Sequence, residues 1–233
     1  KLMRIKMGFE EEISAKLEVE YVQELRDALF LALNDKDETE KEAITSLNLS
    51  HIAYMGRFVI YRQTLEAVFA SCKNLIELDL SGTEISDDLF RFLAEEGQQL
   101  ESLVLSGCTE RYSGSISDDV MEGFELLAPI GLKTLCVGEL AFLTEGHFCQ
   151  ICALSTLEYL NLSRNRQQIM GSGEFDFDYV CCYLEDLEFL SALMLADWQL
   201  SDKQKAHVKE ALPGLTFTVT ADSQWSSSQS VNS

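Results

Sequence analysis

Leucines recur along the chain in the spacing L-x-x-L-x-L, and this repetition limits the possible folds more than any other feature. It appears as Leu75-Leu78-Leu80, Leu100-Leu103-Leu105, Leu157-Leu160-Leu162 and Leu190-Leu193-Leu195. Ile44-Leu47-Leu49 and Leu132-Leu135-Val137 are variants of it, and Leu215 opens a degenerate seventh copy. The last two positions of each motif are two residues apart. That is strand spacing, so their side chains enter one core while the residues between them face away. Amphipathic segments with three- and four-residue spacing follow most of the strands, as in Leu89, Phe90 and Leu93 or Val120, Met121, Phe124 and Leu127, and predict helices. The segments Ser86-Asp87-Asp88, Ser117-Asp118-Asp119 and Ser201-Asp202-Lys203 supply capping hydroxyls and dipole-opposing acids at the helix starts. The predicted fold is therefore an α/β solenoid, with parallel strands on a concave inner face and helices on the convex outside.

These motifs resemble the leucine-rich repeat family over about residues 44 to 215. The run Cys72-Lys73-Asn74-Leu75 through Leu80-Ser81-Gly82 to Ile85-Ser86-Asp87, followed by Leu105-Ser106-Gly107-Cys108, is most similar to the cysteine-containing and ribonuclease-inhibitor-like subclasses. The resemblance implies a horseshoe whose strand face and adjoining loops bind proteins. At the position after the strand where the family carries Cys or Asn, this chain has Cys108 and Asn165, with Thr83 and Trp198 in the equivalent places.

The repeat starts fall at 44, 75, 100, 132, 157, 190 and 215, so repeat lengths alternate 31, 25, 32, 25, 33, 25. Extra residues enter every second repeat between strand and helix, at about 51–63, 109–115 and 164–178. If alternate repeats stack, these insertions share one rim. They hold Arg57, Arg62, Arg111, Arg164 and Arg166, five of the eight arginines, together with Tyr61 and Tyr112. Arginine and aromatic residues are enriched at binding hot spots. The competing reading is that the aromatics tuck each loop onto its neighbour and the arginines neutralise nearby acids. The outward strand positions, which include Asp79 and Tyr159, form a second candidate surface, mostly of small residues.

Composition removes other classes of function. The 39 acidic against 18 basic residues give a net charge of -21, and a surface that acidic repels phosphate backbones and anionic lipid heads. Nucleic acid and membrane are therefore not expected partners. Cys149 and Cys152 with His147 supply too few ligands for structural zinc, and a helical spacing beside Phe148 and Ile151 favours packing. The three histidines, His51, His147 and His207, have no acid at a telling spacing, so neither a nucleophile-base pair nor any cofactor site is expected. Asn48-Leu49-Ser50 and Asn161-Leu162-Ser163 match the glycosylation acceptor, but both arise from the strand motif itself.

Residues 1–43 are expected to form a helical N-terminal cap, with Leu17, Val19, Tyr21, Val22, Leu25, Leu29, Phe30 and Leu33 on one helix that 34–37 would stop. The repeat domain then covers 44–221, and 222–233, with six serines, reads as a flexible tail. No Leu-Pro start or late Trp supports an F-box. The seven cysteines, an odd and scattered set, fit a reducing cytoplasmic setting. The function expected is a non-enzymatic scaffold or adaptor, monomeric alone, that binds another protein. A ubiquitin-ligase substrate receptor and a pathogen effector secreted into a host cell cytosol are the alternative settings.

Overall fold

The computed structural model describes residues 5–9, 15–19, 33, 35–50, 59–60, 62–85, 88–110, 123–140, 142–166, 169 and 177–218. From the N-terminal side, β1 (Ile5–Phe9) and β2 (Ala15–Val19) precede helix α1 (Glu38–Glu42), β3 (Ile44–Asn48), β4 (Val59–Ile60) and α2 (Arg62–Ser71). Next come β5 (Glu77–Asp79), β6 (Glu84–Ile85), α3 (Leu89–Glu96), β7 (Ser102–Val104) and β8 (Thr109–Glu110). A 3-10 helix over Phe124–Ile130 leads to β9 (Thr134–Cys136), α4 (Glu145–Cys152), β10 (Tyr159–Asn161) and α5 (Phe177–Leu184). The last elements are β11 (Ala192–Met194), α6 (Asp202–Ala211) and β12 (Thr216–Thr218).

Every leucine motif becomes a strand of one nine-stranded sheet, ordered β1-β2-β3-β5-β7-β9-β10-β11-β12. From β2 onward all neighbours are parallel. The register aligns Leu47, Leu78, Leu103, Leu135, Leu160 and Leu193 in one line across the sheet. Each of the six is at most 1% exposed, as strand spacing requires. A single apolar core joins them to the helix residues Leu65, Val68, Phe92, Leu93, Phe148, Ile151, Val180 and Val208. One face of the sheet therefore carries the helices, and burial of each leucine contributes roughly 1.5–3 kcal/mol. The result is an α/β solenoid built on the repeated leucine motif.

The N-terminal segment differs from the helical cap expected over residues 1–43. Leu17 and Val19 belong to strand β2, which pairs antiparallel with β1 and parallel with β3. The cause is period-2 patterning: Ile5, Met7 and Phe9 alternate with polar or small residues, as do Ala15, Leu17 and Val19. The register sets Ile5 opposite Val19, Met7 opposite Leu17 and Phe9 opposite Ala15. Residues 20–32 of the expected helix lie outside the described residues. Asp37, in the stretch expected to stop that helix, starts the next one. Its carboxylate accepts from the Glu40 amide at 2.9 Å, and the Glu40 carboxylate accepts from the Asp37 amide at 3.1 Å, which makes a capping box for α1.

The segment after β8 also departs from expectation. Phe124 and Leu127 are buried but lie in a 3-10 helix, and Pro129, which has no amide hydrogen, sits inside it. A second, three-stranded parallel sheet joins β4, β6 and β8, setting Ile60 beside Ile85 and Ile85 beside Glu110. The extra residues of the first long repeat precede β4, whereas those of the second follow β8. The insertions thus enter at two different points between strand and helix.

Candidate functional site

Opposite the leucine line, the register aligns two further rows across β3, β5, β7, β9, β10 and β11. One is Ser46, Glu77, Ser102, Thr134, Tyr159 and Ala192; the other is Asn48, Asp79, Val104, Cys136, Asn161 and Met194. Glu77 is exposed, Ser46, Asn48, Cys136 and Asn161 are buried, and the rest are half-buried. Burial, with Cys136 close by, pushes the Tyr159 phenol up to about 12.

The second row holds the turn that follows. The Asp79 carboxylate accepts from the Ser81 amide at 2.9 Å and the Ser81 hydroxyl at 2.5 Å. Asn48 accepts from the Ser50 amide and hydroxyl in the same way, and Asn161 from the Ser163 amide at 2.9 Å. Where the row carries Cys136 or Met194, which cannot accept so, the residue two positions on is Gly138 or Ala196. Val104 breaks this pairing: it is followed by Ser106, whose buried hydroxyl oxygen has no partner. At Gly138 a Cβ would stand 3.2 Å from the Ser163 carbonyl oxygen, a tight contact that the neighbouring strand end would have to relax to admit.

One residue further along, every described turn from β5 to β11 holds a left-handed residue: Gly82, Gly107, Glu139, Arg164 and Asp197, with φ between 57° and 72°. Stacking makes the last three neighbours. The Arg164 guanidinium donates to the Glu139 carboxylate through Nη1 and to Asp197 Oδ2 through Nε, the latter at 2.9 Å. The next column holds Thr83, Cys108, Leu140, Asn165 and Trp198, and most of it does one job. Cys108 Sγ donates to the Leu80 carbonyl at 3.0 Å, Asn165 Nδ2 to the Val137 carbonyl, and Trp198 Nε1 to the Leu162 carbonyl at 2.8 Å. Thr83 Oγ1 donates to Leu80 within its own turn at 2.7 Å. Asn165 Oδ1 also accepts from the Leu140 amide at 2.9 Å. All four side chains are fully buried.

Of the sequence-derived binding residues, Arg57, Tyr61, Arg111 and Tyr112 lie outside the described residues. Arg62 stands at the start of α2, where Nε meets Glu66 and Nη2 meets Glu95, both at 2.8 Å, with the guanidinium carbon 5.5 Å from the Phe92 ring centroid. Those carboxylates raise its pKa further. Arg164 is held between Glu139 and Asp197, and Arg166 is exposed where a helical stretch begins two residues on. Arg164 and Arg166 are thus brought together, while Arg62 belongs to a repeat four coils earlier. Asp79 and Tyr159 share the strand face but stand on β5 and β10, three ladder steps apart, about 14 Å. Sequence reasoning missed Glu139 and Asp197; their signal was that they occupy the same repeat position as Gly82, Gly107 and Arg164.

None of the seven cysteines is in a disulfide. Burial pushes Cys108 and Cys136 up to about 12 and Cys72 up to about 11, so at neutral pH they are protonated packing groups. His147 is buried and committed to its helix: Nδ1 accepts from the Thr144 amide at 3.1 Å, within a capping box for α4, and the ring meets Phe124 edge-on at 5.8 Å. Among the described residues, no three His, Cys, Asp or Glu side chains stand together where they could hold a metal ion, and no helix is long and apolar enough to cross a membrane.

No family model and no curated protein matches the sequence. Among solved structures, an internalin (inlF) from Listeria monocytogenes aligns at 16% identity and a TM-score of 0.42, over 81% of this chain and 52% of the internalin. TLR13, in its complex with ssRNA13, aligns at 14% identity and a TM-score of 0.42, over 81% of this chain and 31% of TLR13. The chain thus spans about half the length of the first and a third of the second.

Proposed function

We propose that the chain is a non-enzymatic protein-binding scaffold. In this reading the sheet curves into a horseshoe with its strands on the concave side, and the repeats are of the cysteine-containing or ribonuclease-inhibitor-like kind. The partner is engaged through the strand face together with the adjoining strand-to-helix loops. The observation that carries this is the division of labour within each strand. The leucine row is spent on the core, whereas Glu77, Ser102, Thr134, Tyr159 and Met194 keep partial or full exposure across β5 to β11.

Arg62 and Arg164 already neutralise acids of their own chain, so a partner that recruited them would first have to displace or share those carboxylates. That supports the strand face as the principal surface. The loop residues Arg111 and Tyr112 remain its competitor. The test is to identify a captured partner and measure its Kd for wild type, for Glu77→Ala with Tyr159→Ala, and for Arg111→Ala with Tyr112→Ala. The strand-face pair should raise Kd about tenfold or more. If neither pair changes Kd, both surfaces are wrong; if only the loop pair does, the insertions are the site.

A further inference from the structure

The chemistry of the strand face is unevenly distributed, and the imbalance describes what can lie on it. In the two aligned rows from β3 to β11 the charged residues are Glu77 and Asp79, both on β5, and the register continues those rows on β2 to Lys16 and Glu18. Strand geometry places these two carboxylates on one face, about 7 Å apart along β5. Their ladder neighbours, Ser46 and Ser102 beside Glu77 and Asn48 and Val104 beside Asp79, are all uncharged. No Lys or Arg among the described residues forms a salt bridge with either carboxylate. From β7 to β11 the same rows carry no charge, with the half-buried Val104, Tyr159 and Met194 set among Ser102, Thr134 and Asn161.

Resting on the protein-binding reading above, we propose that this face takes an extended segment of a partner protein carrying a Lys or Arg together with an apolar side chain. The cation lies over Glu77 on β5, and the apolar group lies against Tyr159 and Met194. An acidic segment would meet the exposed Glu77 carboxylate, the Asp79 carboxylate that holds Ser81, and the field of a chain with net charge -21. A cation meets neither penalty. β5 and β10 are separated by about 14 Å, which an extended chain spans in about four residues. The segment's basic residue and its apolar anchor should therefore be spaced by roughly that number.

A random-peptide display library selected on the full folded chain at low salt tests this. Enriched sequences should pair a Lys or Arg with an apolar or aromatic residue about four positions away. A synthetic peptide of that sequence should bind about tenfold or more weakly to Glu77→Lys and to Tyr159→Ala. Glu77 is exposed, so Glu77→Lys should keep the wild-type melting curve. Should it not, Glu77→Gln provides the same test with a smaller loss and a shallower salt dependence. Acidic enriched sequences, or basic-apolar peptides that bind Glu77→Lys and Glu77→Gln as tightly as wild type, overturn the proposal while leaving a protein-binding role intact. A library that yields no binder overturns both.

Discussion

After β5 and β7 the chain turns through Gly82 and Gly107, whereas after β9, β10 and β11 it turns through Glu139, Arg164 and Asp197 at the same left-handed position. Glycine enters that conformation without steric cost, while an L side chain there costs roughly 1–2 kcal/mol. In the later repeats the cost is partly offset by the acid-base-acid ladder that the same three side chains form. The next column contrasts in a similar way: a hydroxyl and a thiol reach backbone carbonyls in the earlier turns, an amide and an indole in the later ones. The comparison teaches that all five turns meet one demand, a positive φ, and four of them a second, a buried side-chain donor to a carbonyl, while the β9 turn carries Leu140 in that column. Different residue types meet them in the two halves.

The comparison assumes one core beneath both halves. Leu103→Ala in the earlier half and Leu160→Ala in the later half should each cost about 2–5 kcal/mol in urea unfolding. A loss under about 0.5 kcal/mol at either site would mean that the halves do not share a core. Next in size, the donor column should prove unequal. Asn165→Ala strands the Leu140 amide and removes the donor to Val137, which should cost about 2–4 kcal/mol. Cys108→Ala removes one weak donor from a carbonyl that Thr83 still serves, and should cost about 1 kcal/mol. Equal losses would show that the column acts through packing alone.

The left-handed positions should differ in the direction of their response. Gly107→Ala should cost about 1–2 kcal/mol by strain alone, because the nearest atom to an added Cβ is 4.0 Å away. Arg164→Gly relieves strain while losing two exposed ion pairs, so its change should stay within about 1 kcal/mol and shrink further in salt. A large loss there would mean that the ladder, rather than the turn, organises the later half. The smallest effect belongs to Ser106→Ala, which removes an unpartnered buried hydroxyl and should leave stability unchanged or slightly raised by calorimetry.

Strand spacing made the leucine register legible, and the length alternation marked which repeats carry extra residues. The N-terminal hairpin was equally legible in the alternation of Ile5, Met7 and Phe9 and of Ala15, Leu17 and Val19. It was obscured because Leu17, Tyr21, Leu25, Leu29 and Leu33 also fit a helical period, and a short amphipathic stretch can satisfy both. Residues in register, such as Arg164 with Glu139 and Asp197, become neighbours only through stacking, 25 and 33 residues apart in the chain. An arginine read singly therefore looked available for a partner. Pro129 signalled that the segment after β8 would not be a regular α-helix, since no local pattern of apolar spacing supplies its missing amide hydrogen.

The buried asparagines of the strand face have a consequence for timing. Asn48 and Asn161 sit in acceptor sequences for an N-linked sugar, yet in the finished sheet they are 5% and 6% exposed and hold the Ser50 and Ser163 amides. A transferase would therefore compete with folding in a race that is decided while the repeat is still unwound. A sugar that won at Asn161 would leave β10 unable to close against its neighbours, so modification would trap an open chain rather than decorate a closed one.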